Sequence, residues 1–347
     1  MEHRVVLTGK GGLSKVTTVD MAVPECKEND VRIKVAYAGI NFADLLMRLG
    51  LYQPRPPYPF TPGYEISGIV DAVGKGVTSV NVGDRVVAGM RNGGQASMVL
   101  CDSSRVIPLP ENVSFDVAAA TPVTYMTAYH ILQHLGNIQP HHSVLIHGGA
   151  GGVGTAALQI CRWLGVTNIF ATSSASKHHI IEEYGAHAID RHSEDFVAIV
   201  KHHTNGRGVD FVLDPIGGDH LRRSLSVVAE GGALYSYGLS AAAPSSKRSL
   251  FKAFSALRKT PKFGPLQLMI KNRGVHGIHM GTWSDEEVMR NHMQALFSGI
   301  ADGHLNPVID QSFPSSDVQN AHKYLHEAKN IGKVLLKFHD IDAKQRQ

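Results

Sequence analysis

Gly148, Gly151 and Gly154 stand three residues apart in VLIHGGAGGVG, Val144–Gly154, with Gly149, Gly152 and Val153 among them. A β-branched and Leu-rich run leads into this cluster, and a helical pattern, 155–164, leaves it. The first glycine permits a tight turn, the second removes a side chain that would block a pyrophosphate, and the third lets the helix pack against the strand. The helix start then offers unpaired N–H groups and a positive dipole end to phosphate. A glycine turn without a ligand is the plainer alternative, but the strand–turn–helix setting favours a dinucleotide. In an NAD site an acid about 20 residues on takes the ribose 2′-hydroxyl. Here the second strand pattern, Asn168–Ser174, ends without one and is followed by Lys177. Thr172, Ser173, Ser174 and Lys177 suit a 2′-phosphate, and Arg191, after the third strand pattern, adds a second cation. The expected cofactor is therefore NADPH, with Gly238 joining the cofactor set. The plainer alternative is that Lys177 and Arg191 are solvated surface charges.

The elements around this turn must position it. The chain of 347 residues has room for one or two domains with a substantial core. Its 43% hydrophobic and 18% charged residues are those of a globular protein, and a formal charge of +4 does not by itself imply nucleic acid. Cys26, Cys101 and Cys161 make no paired spacing, which favours a reducing, cytoplasmic setting. The N-terminal stretch reads as a strand and turn rather than a signal peptide, and no apolar run reaches the roughly 18 residues of a membrane span. The 20 histidines include the adjacent pairs His141–His142, His178–His179 and His202–His203. Adjacent side chains diverge, so these pairs read as exposed residues near loops and helix ends.

The first third carries short strand patterns broken by Gly and Pro, such as Val31–Ala38, Ile66–Val73 and Asp84–Val87. From Val123 strands alternate with helices: Ser143–His147, helix 155–164, Asn168–Ala171, helix 176–184, Ala188–Ile189, helix 193–203, Gly208–Asp214, helix 218–229 and Gly232–Tyr237. Gly274–Met280 offers a sixth strand, followed by a helix over 285–302, a strand Val308–Ser312, a helix over 315–328 and a strand Gly332–Phe338. This predicts an α/β protein: an irregular β-rich catalytic domain, residues 1–122 and 288–347, and an inserted doubly wound parallel domain, residues 123–287. A ligand cleft is expected between them, and residues 339–347 read as disordered. The strand Gly274–Met280 would lie at a sheet edge and pair with a second copy, giving a homodimer.

Between Glu230 and Asp285 there is no acidic residue, while Lys247, Arg248, Lys252, Arg258, Lys259, Lys262, Lys271 and Arg273 are all basic. Leu250, Phe251, Phe254 and Leu257 fall on roughly one helical face. Such a helix either lies on an anionic membrane surface or docks on its own protein with a solvated basic face.

AGINFADLLMRLGLY (Ala38–Tyr52), TPGYEISGIVDAVGKGV (Thr61–Val77), VGDRVVA (Val82–Ala88) and the glycine-rich stretch His142–Arg162 together resemble the medium-chain dehydrogenase/reductase superfamily, specifically its zinc-free quinone oxidoreductases. Met126–Tyr129, Ser174–His178, Asp214–Gly218 and Ile331–Leu336 resemble the branch of vesicle amine transport protein homologues. The resemblance implies a GroES-like catalytic domain. It also implies no metal, because Asn41 and Tyr64 stand where the zinc enzymes carry Cys and His, and Val87–Met98 lacks the structural-zinc cysteines. By the same resemblance Asn41 would hydrogen-bond the acceptor oxygen, Tyr52 would orient it or supply a proton, and Thr127 would lie beside the nicotinamide amide. Asp44 reads as an anchor, and Leu46 replaces a second tyrosine of the family, widening an apolar pocket. Asn41 and Tyr52 also have structural readings: a local turn bond, and a packed ring with its hydroxyl at the surface.

Without a Lewis acid, hydride transfer favours acceptors that are already electrophilic, so a quinone or activated enone is expected, with the cofactor as donor. The second reading is a dinucleotide-binding protein, peripheral at membranes through 247–262, with little reductase activity.

Overall fold

A computed structural model of the chain describes residues 2–341. Part of the expected disordered stretch, 342–347, lies outside the described residues; His339–Ile341 belong to no helix or strand. The chain divides into two compact units. One holds the chain up to Thr124, the short piece Ser245–Arg248 and the chain from Met293 onward. The other holds Tyr125–Pro244 and Ser249–His292.

The first unit is built on a mixed sheet. The strand Asp30–Ile40 is its spine, pairing antiparallel with Glu65–Val73, Met98–Asp102 and Lys333–Lys337. The C-terminal strand Lys333–Lys337 pairs in turn with Ile309–Pro314, so the tail completes the N-terminal sheet. Val31, Ile33, Val35, Ile66, Val70, Val86 and Val99 form one core cluster, and the β-branched side chains of these strands fill it. The helix Phe42–Leu49 follows the spine strand directly. Asn41 is its N-cap, its backbone N–H donates to the Asp44 carboxylate at 2.8 Å, and Gly50 closes the helix in the left-handed conformation with φ +72°.

The second unit carries a six-stranded, fully parallel sheet. Counting its strands in chain order, the spatial order is 3-2-1-4-5-6, that of a dinucleotide-binding fold. Ser143–His147 and Val209–Asp214 lie at the centre, and every residue of both is buried. A parallel strand covered on both faces has no solvent side, which is why these runs do not alternate; their buried polar residues Ser143, His147, Asp210 and Asp214 are hydrogen-bonded. Phe196 and Val200 of one helix and Leu221 and Leu225 of another pack on Leu145, Val209, Val212 and Leu234.

Several boundaries moved. The helix expected over 218–229 ends at Ser226, and Val228 and Ala229 open the strand Val228–Ser236 instead. A short apolar run serves helix or strand equally, and here pairing of Val228 with Val209 decided. Gly231, φ +78°, lies where the register of this pair shifts. The glycine-turn helix begins at Gly152, before the expected 155. The sixth strand is shorter, Gly274–Gly277, and Met280–Thr282 is a 3-10 turn. The three adjacent histidine pairs are exposed or half-buried, as expected, whereas His130, His147, His292, His322 and His326 are buried.

Candidate functional site

The glycine cluster is a backbone-built cradle. Gly148 adopts φ +69°, and its N–H donates to Thr172 Oγ1 at 3.3 Å. Gly149 N–H donates to the Thr172 carbonyl and Gly151 N–H to the Gly148 carbonyl, both at 2.9 Å. A Cβ on Gly154 would stand 2.2 Å from the Gly148 oxygen, and one on Gly151 3.3 Å from it. Any side chain at 154 would push the turn and helix apart. Gly151 is the N-cap of the helix Gly152–Trp163 and makes no side-chain cap, so the first N–H groups of a twelve-residue helix are left for a ligand. These features fit a pyrophosphate.

The 2′-phosphate candidates come together at the ends of the second and third strands. Ser173 closes the strand Asn168–Ser173, and its carbonyl accepts Arg191 N–H at 2.8 Å. The Ser174 carbonyl accepts Lys177 N–H at 2.9 Å, which turns Lys177 back along the same edge. Arg191 is exposed and Lys177 half-buried. The nearest strand-end acid, Asp190, is turned toward Ser193 Oγ at 2.5 Å and His192 N–H at 3.3 Å. Gly238 follows the fifth strand, and a Cβ there would meet the Pro215 carbonyl at 2.5 Å. Thr127 is buried on the helix Thr124–Tyr129.

Beneath the turn runs a hydrogen-bond chain that the sequence did not reveal. Taking tautomers from the network, Thr172 Oγ1 donates to His147 Nδ1 and His147 Nε2 donates to Ser224 Oγ, both at 3.2 Å. Ser224 Oγ and His220 Nδ1 each donate to Asp214 Oδ2 at 2.7 Å. Asp214 Oδ1 accepts the N–H groups of Ile216 and Gly217 at 2.7 and 3.0 Å. Burial alone would raise the Asp214 pKa, but the bonds from His220 and the Gly217 N–H hold it at about 2. Burial pushes His147 down to about 3, so it is neutral. The ligand-type atoms of His147, Asp214 and His220 lie within 4.8 Å of one another. They do not fit a metal: the Ser224 hydroxyl already stands between them, and their hydrogens and acceptors match. The chain fastens the glycine turn to the Asp214–Gly218 loop.

In the other unit Asn41 is held by both ends of its amide. Its Nδ2 donates to Glu65 Oε1 at 2.9 Å, and its Oδ1 accepts from Lys333 Nζ at 2.6 Å. Lys333 also pairs directly with Glu65, and both are essentially buried. Glu65 Oε2 accepts Val123 N–H at 2.7 Å. The partnership of Lys333 and Glu65 spans 268 residues and is not legible in the chain. One Nδ2 hydrogen of Asn41 remains beyond its bond to Glu65. Asp44 is fully buried, and burial pushes its pKa up to about 7; its Oδ2 accepts from Asn41 N–H and, at 3.3 Å, from Gln95 Nε2. Tyr52 is hydrogen-bonded to Tyr64, with ring centroids 6.5 Å apart, and burial raises the pKa of both. The structure therefore gathers Asn41, Asp44, Glu65 and Lys333, and joins Tyr52 to Tyr64.

The basic segment forms two helices, Leu250–Lys259 and Pro265–Lys271, where the sequence indicated one. The first docks through Ala253 and Ala256. Phe251 and Phe254 are 81% and 64% exposed, and Leu250, Leu257, Leu266, Met269 and Ile270 are exposed with them. Arg248 is not free to join a basic rim, since its Nε donates to the Leu49 carbonyl at 2.9 Å. Among the described residues no helix is long and apolar enough to cross a membrane.

Two family profiles match the chain: alcohol dehydrogenase GroES-like domain over residues 27–111 and zinc-binding dehydrogenase over residues 184–336. The synaptic vesicle membrane protein VAT-1 homolog of Rattus norvegicus is 41% identical, over 96% of this chain and 83% of its own length. The quinone oxidoreductase of Homo sapiens is 31% identical, over 91% of this chain and 92% of its own. Among solved structures, the Escherichia coli quinone oxidoreductase complexed with NADPH superposes with a TM-score of 0.85 at 30% identity, covering 96% of this chain and 99% of that one. The human VAT-1 homolog-like protein superposes with a TM-score of 0.84 at 31% identity, covering 97% and 98%. With its parallel sheet, glycine cradle and tail-completed β unit, the chain belongs to the medium-chain dehydrogenase/reductase family of oxidoreductases, in the quinone oxidoreductase-like group that includes the VAT-1 homologues.

Proposed function

We propose that this chain is an NADPH-dependent, zinc-independent reductase of a quinone or activated enone. The observation that carries the reading is the glycine cradle beside a second strand that ends without an acid, with Ser173, Ser174, Lys177 and Arg191 at that edge and Asp190 turned toward Ser193 and His192. NADPH, when bound, supplies the hydride. Gly148–Gly154 and the N-terminus of the helix Gly152–Trp163 hold its pyrophosphate, with Gly238 leaving room for backbone approach. Ser173, Ser174, Lys177 and Arg191 hold its 2′-phosphate, and Thr127 serves the nicotinamide end. Asn41 offers its remaining amide hydrogen to the acceptor oxygen. The neutral Tyr52 hydroxyl, relayed to Tyr64, can hand a proton to the reduced oxygen. Zinc independence follows from the donor set. An amide and a phenol replace strong ligands, and the Lys333 ammonium, 2.6 Å from Asn41 Oδ1, repels a dication.

The test is steady-state NADPH oxidation with a panel of quinones and enones, beside NADPH and NADH titrations. NADPH should bind at least about tenfold tighter than NADH, about 1.4 kcal/mol. Equal affinities, or no turnover with any electrophilic acceptor, would sink the assignment. Homodimerisation is part of the proposal: the strand Gly274–Gly277 ends the sheet order and pairs only with Val228–Ser236 among the described residues. Sedimentation at micromolar concentration reads this out.

A second reading is favoured by one observation, the exposed apolar faces of Leu250–Lys259 and Pro265–Lys271 within an acid-free basic segment. On this reading the protein associates peripherally with anionic membranes while keeping its cytoplasmic, reducing setting. Phe251 and Phe254 would enter the lipid boundary, and each nearby cation would contribute about 1 kcal/mol. Flotation with anionic and neutral liposomes, repeated with Phe251→Ser and Phe254→Ser, decides it. No binding to anionic vesicles at low salt leaves the reductase reading alone.

A further inference from the structure

We infer that Lys333, together with Glu65, is a positioning residue for the reduction: the pair turns the Asn41 amide so that it offers N–H rather than C=O to the acceptor oxygen, and the ammonium polarises that N–H. The inference rests on the reductase reading and on Asn41 as the group that meets the acceptor. The three side chains close a ring of hydrogen bonds. Lys333 Nζ donates to Asn41 Oδ1 at 2.6 Å and also to Glu65 Oε1, and Asn41 Nδ2 donates to the same Oε1 at 2.9 Å. An asparagine amide has one accepting end and one donating end, and its partners assign which is which. An ammonium only donates and a carboxylate only accepts, so a flipped amide would set donor against donor and acceptor against acceptor. Oδ1 is thus committed to Lys333, and one Nδ2 hydrogen to Glu65. The group that Asn41 has left to offer is the second Nδ2 hydrogen.

The surroundings hold this geometry. The Asn41 backbone N–H donates to the Asp44 side chain at 2.8 Å, and Glu65 Oε2 accepts Val123 N–H at 2.7 Å, so both ends of the Glu65 carboxylate are fixed. Gly39 makes room for that carboxylate, since a Cβ there would stand 2.2 Å from Oε1. The strand Lys333–Lys337 pairs with the spine strand, Val334 opposite Ile40 and Leu335 opposite Gly39, and this register brings the ammonium to Asn41. Lys333 and Glu65 are 3% and 0% exposed, whereas Asn41 is 8% exposed, so the charge lies behind the amide and the amide is the most open of the three. Away from water, linked hydrogen bonds strengthen one another, and a cation on the carbonyl end makes the amide N–H a better donor. Reduction moves a hydride from NADPH to the acceptor. NADP⁺ is then the oxidised product, and negative charge falls on the acceptor oxygen until a proton from the Tyr52 hydroxyl, replaced from solvent, neutralises it. A fixed donor aimed where that charge develops stabilises the charged stage more than the uncharged substrate.

The test compares Glu65→Gln with Lys333→Met in one chain, Asn41→Ala, and all three changes together. Removing both charges at once strands neither, so the charge-free variant should stay folded, which chemical denaturation verifies. One readout is kcat and KM with a quinone panel. The other needs no turnover: the visible absorbance of para-nitrophenol bound to the full chain saturated with NADP⁺, which reports how much of the phenol is ionised. Neutralising the pair should lower kcat at least about tenfold, leave KM for NADPH within about twofold, and reduce the ionised fraction of bound phenol. In the Asn41→Ala background the same neutralisation should change kcat by less than about twofold and leave the absorbance as it is, because Lys333 acts through Asn41. Unchanged kcat and absorbance in the folded charge-free variant would overturn the inference. So would an equal loss in both backgrounds, or an unmutated chain that does not ionise the phenol. A chain that turns over no quinone or enone would sink the reductase reading, and the absorbance would still decide separately whether the pair polarises Asn41.

Discussion

The two candidate sites of this protein, one in each unit, are built by opposite means. The dinucleotide cradle is made of backbone: glycines from one stretch of seven residues, a helix start, and strand ends that adjoin it through the sheet. The proposed acceptor site is made of side chains: Asn41, Asp44, Tyr52, Tyr64, Glu65 and Lys333, drawn from both ends of the chain and held by buried charge. A backbone cradle is specified by what is missing, since a Cβ would fill it. A side-chain cluster is specified by what each group needs, since a buried charge must find its partner. The first should therefore fail by steric intrusion and the second by loss of a partner.

The largest effect should come from the second kind. Lys333→Met strands the buried Glu65 charge and should cost about 3–5 kcal/mol in chemical denaturation. The double variant with Glu65→Gln should recover much of that loss. If the single and double variants are equally unstable, buried charge is not what holds this half together. Next in size, Gly154→Val places carbon against the Gly148 carbonyl. NADPH affinity, read by fluorescence titration, should drop at least about 100-fold, or about 2.7 kcal/mol. Normal binding would show that the cradle tolerates a side chain and would break the contrast.

Asp44 gives a pH test. Its pKa is raised from 3.8 to about 7 by burial, so the folded state holds a proton that the unfolded state releases. Stability should be full below about pH 4 with respect to this group and fall as pH rises toward 7. Asp44→Asn should flatten that slope by at least about 1.4 kcal/mol, the equivalent of one pKa unit. An unchanged slope would place the proton elsewhere. The smallest effect should be at the cradle's edge. Lys177→Ala should cut the preference for NADPH over NADH by about threefold to tenfold, within the range of a single charge-assisted contact at a half-exposed site. If NADH affinity falls equally, Lys177 does not read the 2′-phosphate.

The same contrast explains what could be read without coordinates. Gly148, Gly151 and Gly154 with Ser173, Ser174 and Lys177 are legible because strand, turn and helix are consecutive, and parallel pairing brings each strand end beside the last. The helix Leu250–Lys259 was visible in its periodicity, but not which face docks: the alanines went inward and the phenylalanines outward. The boundary at Val228 was missed because the three apolar residues Val227, Val228 and Ala229 carry no period long enough to choose.

Residue order alone thus determined the alternating strand–helix rhythm, the glycine turn and the absence of an acid after the second strand. Each is a local preference of backbone or a short spacing, and such terms act within one or two turns of chain. Only the tertiary structure decided that Asn41 lies between Glu65 and Lys333, that Tyr52 meets Tyr64, and that His147 reaches Asp214 through Ser224. These pairings follow from burial, where a polar group removed from water takes whichever partner the fold delivers, however distant in sequence.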